Sequence, residues 1–145
     1  MVYRPQYFSL NELVCKHVYD KFGDFAWTFL DEKVVITLDT IRRLIGKPIT
    51  VNTWADGSEF SQRGLRCNIC SLVKEKTLAN QLYMSAHILG MAMDFDVEGM
   101  SADEVRVWIA VNKDKLPYNI RLERGTAWVH LDVYDNGTKL TFFNP

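Results

Sequence analysis

Two segments of this sequence alternate strictly between apolar and polar residues, and each polar face carries groups that can bind a metal. The first segment, 91–97, presents Asp94, and the second, 128–134, presents His130. Period-two alternation is typical of a strand with one face in the core. If the two strands are neighbours in one sheet, Asp94 and His130 project from the same face.

A third candidate ligand precedes the first of these strands. His87 lies just before Gly90, in a predicted turn from which its side chain can reach Asp94 and His130. Imidazole nitrogens and carboxylate oxygens are ordinary zinc ligands, and three such ligands with one open position are typical of catalytic zinc. A single histidine on a half-buried strand is more often a hydrogen-bonded structural residue, but the three residues together predict a Zn²⁺ site.

These residues belong to two motifs. The first is S-x-H-x-x-G-x-A-x-D and the second is W-x-H-x-D, formed by Ser85, His87, Gly90, Ala92 and Asp94 and by Trp128, His130 and Asp132. The pair resembles the motifs of the zinc D-Ala-D-Ala carboxypeptidase family. That family includes bacterial and phage peptidoglycan peptidases and vancomycin-resistance dipeptidases, and its fold is shared with the hedgehog signalling domain. The resemblance extends more loosely to 49–54 and 64–66.

The resemblance implies that an arginine in the 64–66 segment contacts the substrate, and Arg66 is the residue that matches. A guanidinium group fits a peptide carboxylate or a developing oxyanion. The alternative for a loop arginine is a solvated charge. Ser85, from the first motif, is a second substrate-binding candidate.

Hydrolysis also needs a general base, and the chain departs from the family here. Family members commonly place a glutamate at E-x-x-H spacing before the second histidine, whereas the residue three before His130 is Ala127. Glu123, seven residues before His130, is the nearest glutamate. It ends a predicted strand on its polar side, so we expect Glu123 to be the base.

Two further carboxylates compete for that role. Asp96 shares a face with Asp94, and Asp132 stands in the same relation to His130. Two positions along a strand span about 6–7 Å, which suits a residue that orients a metal-bound side chain rather than a base. We therefore predict that Asp96, Asp132 and Trp128 support the ligands without binding the metal.

The predicted function is a zinc-dependent peptidase that hydrolyses peptidoglycan stem peptides with metal-activated water. It would be a D,D- or L,D-carboxypeptidase or endopeptidase, and a phage lysin is one possible source. The alternative is a non-catalytic zinc-bearing binding module of the same fold, which the hedgehog resemblance permits. Glu123 discriminates between the two.

Length, composition and charge restrict the kinds of protein that this chain can be. The chain has 145 residues, 48% hydrophobic and 24% charged, which predicts one globular domain over 1–145. A net charge of −1 argues against nucleic-acid and membrane-surface partners. The first residues lack the apolar region of a secretory signal, so the sequence predicts a cytoplasmic protein as encoded, acting on the cell wall after release. The oligomeric state is left open.

The three cysteines form no disulfide framework, because an odd count without a secretion signal favours reduced thiols. Cys67 and Cys70 have C-x-x-C spacing, but alone this is weak, since a second zinc site would need two further ligands. We expect Cys15 to be a small buried residue and His17, in a helical pattern, to be structural.

The fold class predicted is α+β, with a small mostly antiparallel sheet, helices on one face and the zinc site on the other. Capping boxes at Ser9 and Ser101 predict helices from there to about Phe22 and to before Pro117. Apolar residues at helical spacing predict another helix that ends at Gly46. The sequence from 55 to 80 is polar and irregular, and we expect a loop that forms a cleft wall.

Strands are predicted over 49–53 and 118–123 as well. Asn136 and Gly137 are a type I′ hairpin signal. They predict a hairpin between the His130 strand and residues 138–143, in which Val133 pairs with Leu140 and Leu131 with Phe142.

Overall fold

The computed structural model describes residues 2–145, in which five α-helices and five β-strands form an α+β fold. The helices are α1 (Leu10–Leu13), α2 (Lys16–Phe22), α3 (Glu32–Ile45), α4 (Ser71–Leu78) and α5 (Ala102–Val111). The strands are β1 (Ile49–Thr50), β2 (Ala92–Val97), β3 (Ile120–Glu123), β4 (Val129–Asp132) and β5 (Leu140–Phe143). Short 3₁₀ segments cover Gly23–Phe29, Trp54–Asp56 and Lys113–Lys115. The predicted fold class, α+β, is confirmed.

The sheet has the strand order β1-β2-β4-β3-β5. Every neighbouring pair is antiparallel except β3 and β5, which are parallel. The two strands that carry the predicted ligands, β2 and β4, are central neighbours, and their register sets Asp94 directly opposite His130. The mostly antiparallel sheet therefore agrees with the sequence prediction.

The apolar faces of β2 and β4 form the middle of the core, where Met93, Phe95 and Leu131 have no solvent exposure. The buried stripes of α3 and α5 join the same cluster. Because side chains alternate along a strand, Asp94 and His130 project from the sheet face opposite these core residues. No helix within residues 2–145 combines the length and apolarity required to cross a bilayer.

Helix α3 shows why the sequence pattern identified it. Val34, Leu38 and Ile41 are fully buried at helical spacing, and Asp31 caps the first turn by accepting a hydrogen bond from Lys33 N at 2.8 Å. The helix ends at Gly46, which has a left-handed φ of 68°. Glycine adopts this conformation without a Cβ penalty, so the predicted end is confirmed.

The first predicted helix is interrupted. Val14 is extended, with φ −127° and ψ 156°, and separates α1 from α2. It forms a bridge with Leu65, in which Leu65 N donates to Leu13 O at 2.9 Å and Cys15 N donates to Leu65 O at 3.0 Å. The two segments can cross this closely because Gly64 has no side chain; a Cβ there would lie 2.1 Å from Leu13 O.

The stretch from 55 to 80 is less irregular than predicted, because it contains α4. Only Val73 of this helix is buried, while Leu72 and Leu78 are exposed. A helix with one buried residue has no apolar stripe, so periodicity could not reveal it.

The hairpin prediction is wrong. β5 pairs with β3, with Leu140 opposite Ile120 and Phe142 opposite Leu122, instead of with β4. Both edges of β4 are already occupied by β2 and β3, so β5 must take the outer edge of β3. The chain crosses over β3 to reach that edge, which makes the two strands parallel.

Residues 135–139 therefore form a crossing loop in place of a hairpin turn. Gly137 N donates to Asp135 Oδ1 at 2.8 Å, and Thr138 N donates to Asn136 Oδ1 at 3.1 Å. These side-chain hydrogen bonds stabilise a turn that does not require paired flanking strands.

Candidate metal centre

The structure brings together the three residues that the motifs single out. His87 comes from the turn before β2, Asp94 from β2 and His130 from β4. Their exposed fractions are 4%, 6% and 8%, and one ligand atom from each lies within 4.8 Å of the others. The three side chains thus form a compact, buried group that could hold a metal ion.

The turn that carries His87 is held by its neighbours. The Ser85 hydroxyl accepts a hydrogen bond from Ile88 N at 3.3 Å, and Gly90 N donates to His87 O at 3.2 Å. Gly90 has φ 69°, and a Cβ there would lie 2.0 Å from Phe29 O. Glycine is therefore required both by conformation and by space. The Ser85 hydroxyl stabilises this turn, and its role in substrate binding stays a prediction.

A backbone carbonyl fixes the orientation of the His87 ring. Nδ1 lies 2.8 Å from Gly64 O. A carbonyl oxygen can only accept, so Nδ1 carries the proton that is donated. In the neutral ring, Nε2 then has a free lone pair, and this atom lies 3.2 Å from Asp94 Oδ1.

A carboxylate does the same for His130. Nε2 lies 2.9 Å from Asp132 Oδ2, while Nδ1 lies 2.8 Å from Asp94 Oδ1. Asp132 has no solvent exposure, and Arg121 holds it through Nε and Nη2, each at 2.9 Å. Asp132 therefore orients His130, as its sequence position predicted.

The inner nitrogens of both histidines consequently point at the same carboxylate oxygen. If both rings are neutral, two lone pairs face Asp94 Oδ1, an arrangement that repels unless a cation lies among the three atoms. Two imidazoles and a carboxylate suit zinc better than magnesium or calcium, which prefer oxygen ligands. Outer N–H groups held by a carbonyl and a carboxylate are also usual for metal-binding histidines. The donor set fits the predicted ion.

Protons take the place of a metal cation when none is bound. Burial lowers the pKa of His130, but hydrogen bonds to Asp132 and Asp94 outweigh burial and raise that pKa to about 9. Burial raises the pKa of Asp94, but hydrogen bonds with His130 and His87 outweigh it and hold that pKa well below its usual value. The centre thus has a strong preference for positive charge.

Arg66 lies at the edge of this centre. Its Nη2 is 3.3 Å from Asp94 Oδ2, and only 13% of its side chain is exposed. It lines a groove of about 290 Å³, whose wall also includes Phe60, Arg63, Leu72, Asp94 and Trp128. The solvated-charge interpretation of Arg66 is therefore wrong. Trp128, predicted as a support for the ligands, instead places a partly exposed indole in the groove wall.

Asp96 does not support a histidine, so this prediction is also wrong. Its Oδ2 accepts a hydrogen bond from Arg63 Nη1 at 2.8 Å, and 47% of its side chain is exposed. Asp96 lies beside β1, opposite Thr50, whereas the histidines adjoin the other end of β2.

Glu123 is the last residue of β3. The β3–β4 register pairs Arg121 with Asp132 and Leu122 with Leu131, so Glu123 lies just beyond the paired residues, toward the end of β4 that carries His130. Among residues 2–145 its carboxylate has no hydrogen-bond or ion-pair partner, and it lies outside the compact group of three ligands. Alternation along β3 puts Glu123 on the same face as Arg121, which contacts Asp132, and β3 is the neighbour of the strand that carries His130.

Arg121 is a site residue that the sequence analysis missed. It is on the polar face of a predicted strand, but the misplaced hairpin concealed the contact of β3 with β4. A second group was also missed: Cys15, His17, Cys67 and Cys70 lie within 4.8 Å of one another. The sequence did contain a signal for this group. Cys15 and His17 have C-x-H spacing, and they could supply the two ligands that the Cys67–Cys70 pair lacks.

Comparison with known proteins finds no matching family model, no matching curated protein and no matching solved structure.

Proposed function

We propose that this protein is a zinc-dependent peptidase that hydrolyses peptidoglycan stem peptides, as a D,D- or L,D-carboxypeptidase or endopeptidase. The observation that carries the proposal is the convergence of His87 Nε2 and His130 Nδ1 on Asp94 Oδ1, at 3.2 and 2.8 Å. The opposite nitrogen of each ring already donates to the protein, so both inner nitrogens are available for a metal.

The three ligands leave a coordination position for water or substrate, which is the arrangement of catalytic zinc sites. Zinc bound there would supply a Lewis acid that activates water and polarises a scissile carbonyl. The ligands are nearly enclosed, while the adjoining groove of about 290 Å³ reaches Asp94 and provides an approach for a peptide.

Arg66 is our candidate for substrate binding. Its guanidinium lies where the groove meets Asp94, and the side chain is anchored because Nε donates to Gln62 O at 2.5 Å. A held guanidinium can bind a peptide carboxylate or stabilise an oxyanion through charge-assisted hydrogen bonds. Trp128 and Phe60 supply apolar surface in the same groove.

Glu123 is our candidate general base. The other two carboxylates near His130 are occupied: Asp94 faces both histidines, and Asp132 is bound by Arg121 and His130. The Glu123 carboxylate has no such partner among the described residues, so it is free to accept a proton and pass it to a leaving amine.

The choice of substrate and of the finer fold comes from the resemblance to zinc D-Ala-D-Ala carboxypeptidases. The two motifs lie on the turn and the two adjacent strands that build the centre, which supports a hedgehog/DD-peptidase-like arrangement. Peptidoglycan stem peptides are the substrates that this resemblance implies.

The test is digestion of purified peptidoglycan, and of synthetic stem peptides that end in D-Ala-D-Ala, by the zinc-loaded protein. Mass spectrometry of the fragments identifies the bond cleaved. We expect release of a terminal D-alanine or of cross-linked fragments, loss of release after chelation and recovery with added zinc. His130→Ala is the matched inactive control because it removes one ligand.

A non-catalytic zinc-bearing binding module of the same fold is the second candidate. The position of Glu123 favours it, because Glu123 lies outside the compact ligand group and seven residues before His130 instead of three. Zinc-dependent co-sedimentation with peptidoglycan, without any fragment released, would support the module and contradict the peptidase.

A further inference from the structure

A second cluster of metal-binding side chains lies where the N-terminal segment crosses the segment that carries Arg66. Cys15 and His17 come from the start of α2, and Cys67 and Cys70 come from the turn before α4. These include all three cysteines of the chain. Pairwise separations of their ligand atoms do not exceed 4.8 Å.

The separations among three of the four side chains, His17, Cys67 and Cys70, are close to those of a tetrahedral site. Cys67 Sγ and Cys70 Sγ are 3.7 Å apart, and His17 Nδ1 lies 3.4 and 3.7 Å from them. With zinc bonds of about 2.3 Å to sulfur and 2.0–2.1 Å to nitrogen, tetrahedral angles require about 3.8 Å between sulfurs and about 3.6 Å between sulfur and nitrogen. One ion would fit among these atoms with little movement.

The cysteines are not bridged in pairs. All three are free, and the Cys67–Cys70 separation of 3.7 Å far exceeds the roughly 2.05 Å of a disulfide. Cys15 and Cys70 are each 1% exposed, whereas His17 is exposed and leaves the group accessible from one side. A bordering cavity of about 430 Å³, which Lys16 and Lys74 help to line, provides a path for an ion.

The backbone holds the two pairs of ligands in place before any ion binds. Cys15 N donates to Leu65 O at 3.0 Å, which ties the start of α2 to the second segment. Cys70 N donates to Cys67 O at 3.2 Å and closes the C-x-x-C turn. Ligands presented by two such chain segments are typical of structural zinc sites.

We propose that Cys15, His17, Cys67 and Cys70 bind a second zinc ion in a closed, structural site. Three thiolates and one imidazole select zinc among the common cellular divalent ions, and four protein ligands leave no position for substrate.

Zinc bound at this second site would hold in place the chain segment 64–67, which contacts His87 of the first centre. Cys67 directly follows Arg66, whose backbone N donates to His87 O at 3.3 Å, and Gly64 O binds the His87 ring. The inference concerns metal content and does not depend on peptidase activity.

The experiment is metal analysis of the full chain purified with zinc, together with single-ligand variants. We expect about two zinc ions per chain in the parent protein and about one in Cys67→Ser, in His17→Ala and in His130→Ala. The double variant Cys67→Ser/His130→Ala should bind none. Asn68→Ala, which changes an exposed side chain inside the C-x-x-C turn, is the matched control and should keep both.

Cobalt substitution separates the two centres spectroscopically, because only thiolate ligands give Co²⁺ a strong ligand-to-metal charge-transfer absorption. The band should persist in His130→Ala and disappear in Cys67→Ser. Circular dichroism identifies any variant that fails to fold, and for such a variant the band of the parent protein decides the question.

A parent protein that binds one metal ion, lost in His130→Ala and retained in Cys67→Ser, would overturn the proposal. So would a parent protein that shows no thiolate band with cobalt under reducing conditions. A parent protein that binds two zinc ions but hydrolyses no stem peptide would contradict the proposed function without contradicting this second zinc site.

Discussion

The two groups of residues that could bind a metal are built in contrasting ways. The first uses strands from the middle of the sheet, nitrogen and oxygen ligands, and outer partners that fix both histidine rings. The second uses the start of α2 and the turn before α4, and three of its four side chains are thiols. The first group has three candidate ligands beside a groove, whereas the second has four candidate ligands. If the proposals hold, coordination number and outer hydrogen bonds, more than burial, separate the reactive centre from the structural one.

Among changes that affect only the first centre, removal of the proposed general base, Glu123, should cause the largest loss of activity. We expect Glu123→Gln to lower kcat by about 10²–10⁴-fold, because a positioned proton acceptor contributes that much. Zinc content and melting temperature should stay unchanged. The measurement is steady-state hydrolysis of the stem peptide that the parent protein cleaves, with Glu98→Gln, at an exposed position, as control. Full activity in Glu123→Gln would place the base elsewhere.

Removal of the groove arginine should rank next. Arg66→Ala should lower kcat/KM by about 10²–10³-fold, the usual cost of losing a group that stabilises an oxyanion. Both zinc ions should be retained, since Arg66 is not a ligand in either group. Kinetics combined with metal analysis check this expectation. Unaltered kinetics would show that the guanidinium serves only to neutralise Asp94.

The outer partners of the first centre should affect metal retention more than catalysis. Asp132→Asn removes the charge that holds the His130 ring, and zinc affinity at this centre should fall by about 10–100-fold. Competition against a chromogenic chelator measures the change. Asp96→Asn is the matched control, because Asp96 contacts Arg63 and neither histidine. Equal losses in both variants would indicate a general electrostatic effect.

The smallest effect is a pH dependence of the metal-free protein. The pKa of His130 is raised from 6.5 to about 9, so its protonated form stabilises the fold below pH 6.5. This contribution, on the order of 3 kcal/mol, should disappear as pH rises from about 6.5 to 9. Zinc must displace the same proton, so the gain in melting temperature on adding zinc should grow over that window.

Thermal unfolding of the chelated protein across this range tests the expectation. His130→Gln is the control, and its melting temperature should lack the decline assigned to His130. A decline of equal size in His130→Gln would show that the pH dependence does not come from His130.

The sequence was sufficient to predict that Asp94 and His130 lie side by side, because the alternation that predicts this is local information. Alternation identified β2 and β4, and a sheet that pairs them necessarily places Asp94 and His130 on one face. The order of the strands could not be predicted in this way, because it depends on contacts between distant parts of the chain. Asn136 and Gly137 favour a turn of the same type whether or not the flanking strands pair, and only the occupied edges of β4 determine where β5 lies.

The second group could not be predicted for a related reason. His17 and Cys67 are far apart in sequence, and the bridge between Val14 and Leu65 that brings them together interrupts a helix predicted as continuous. Helix α4, which follows Cys70, has one buried residue and no periodic signal. The sequence shows the spacing within the C-x-H and C-x-x-C motifs. It does not show that the two motifs lie together, because that depends on the long-range bridge between Val14 and Leu65.

That crossing has a consequence for how the sequence can vary. Gly64 is not among the glycines with positive φ, so its backbone would accept other residues, yet a Cβ would lie 2.1 Å from Leu13 O. The requirement is for empty space. In a library randomised at this codon and sorted for folded protein, glycine alone should survive. We therefore expect natural sequences to vary around both centres while glycine is kept at position 64.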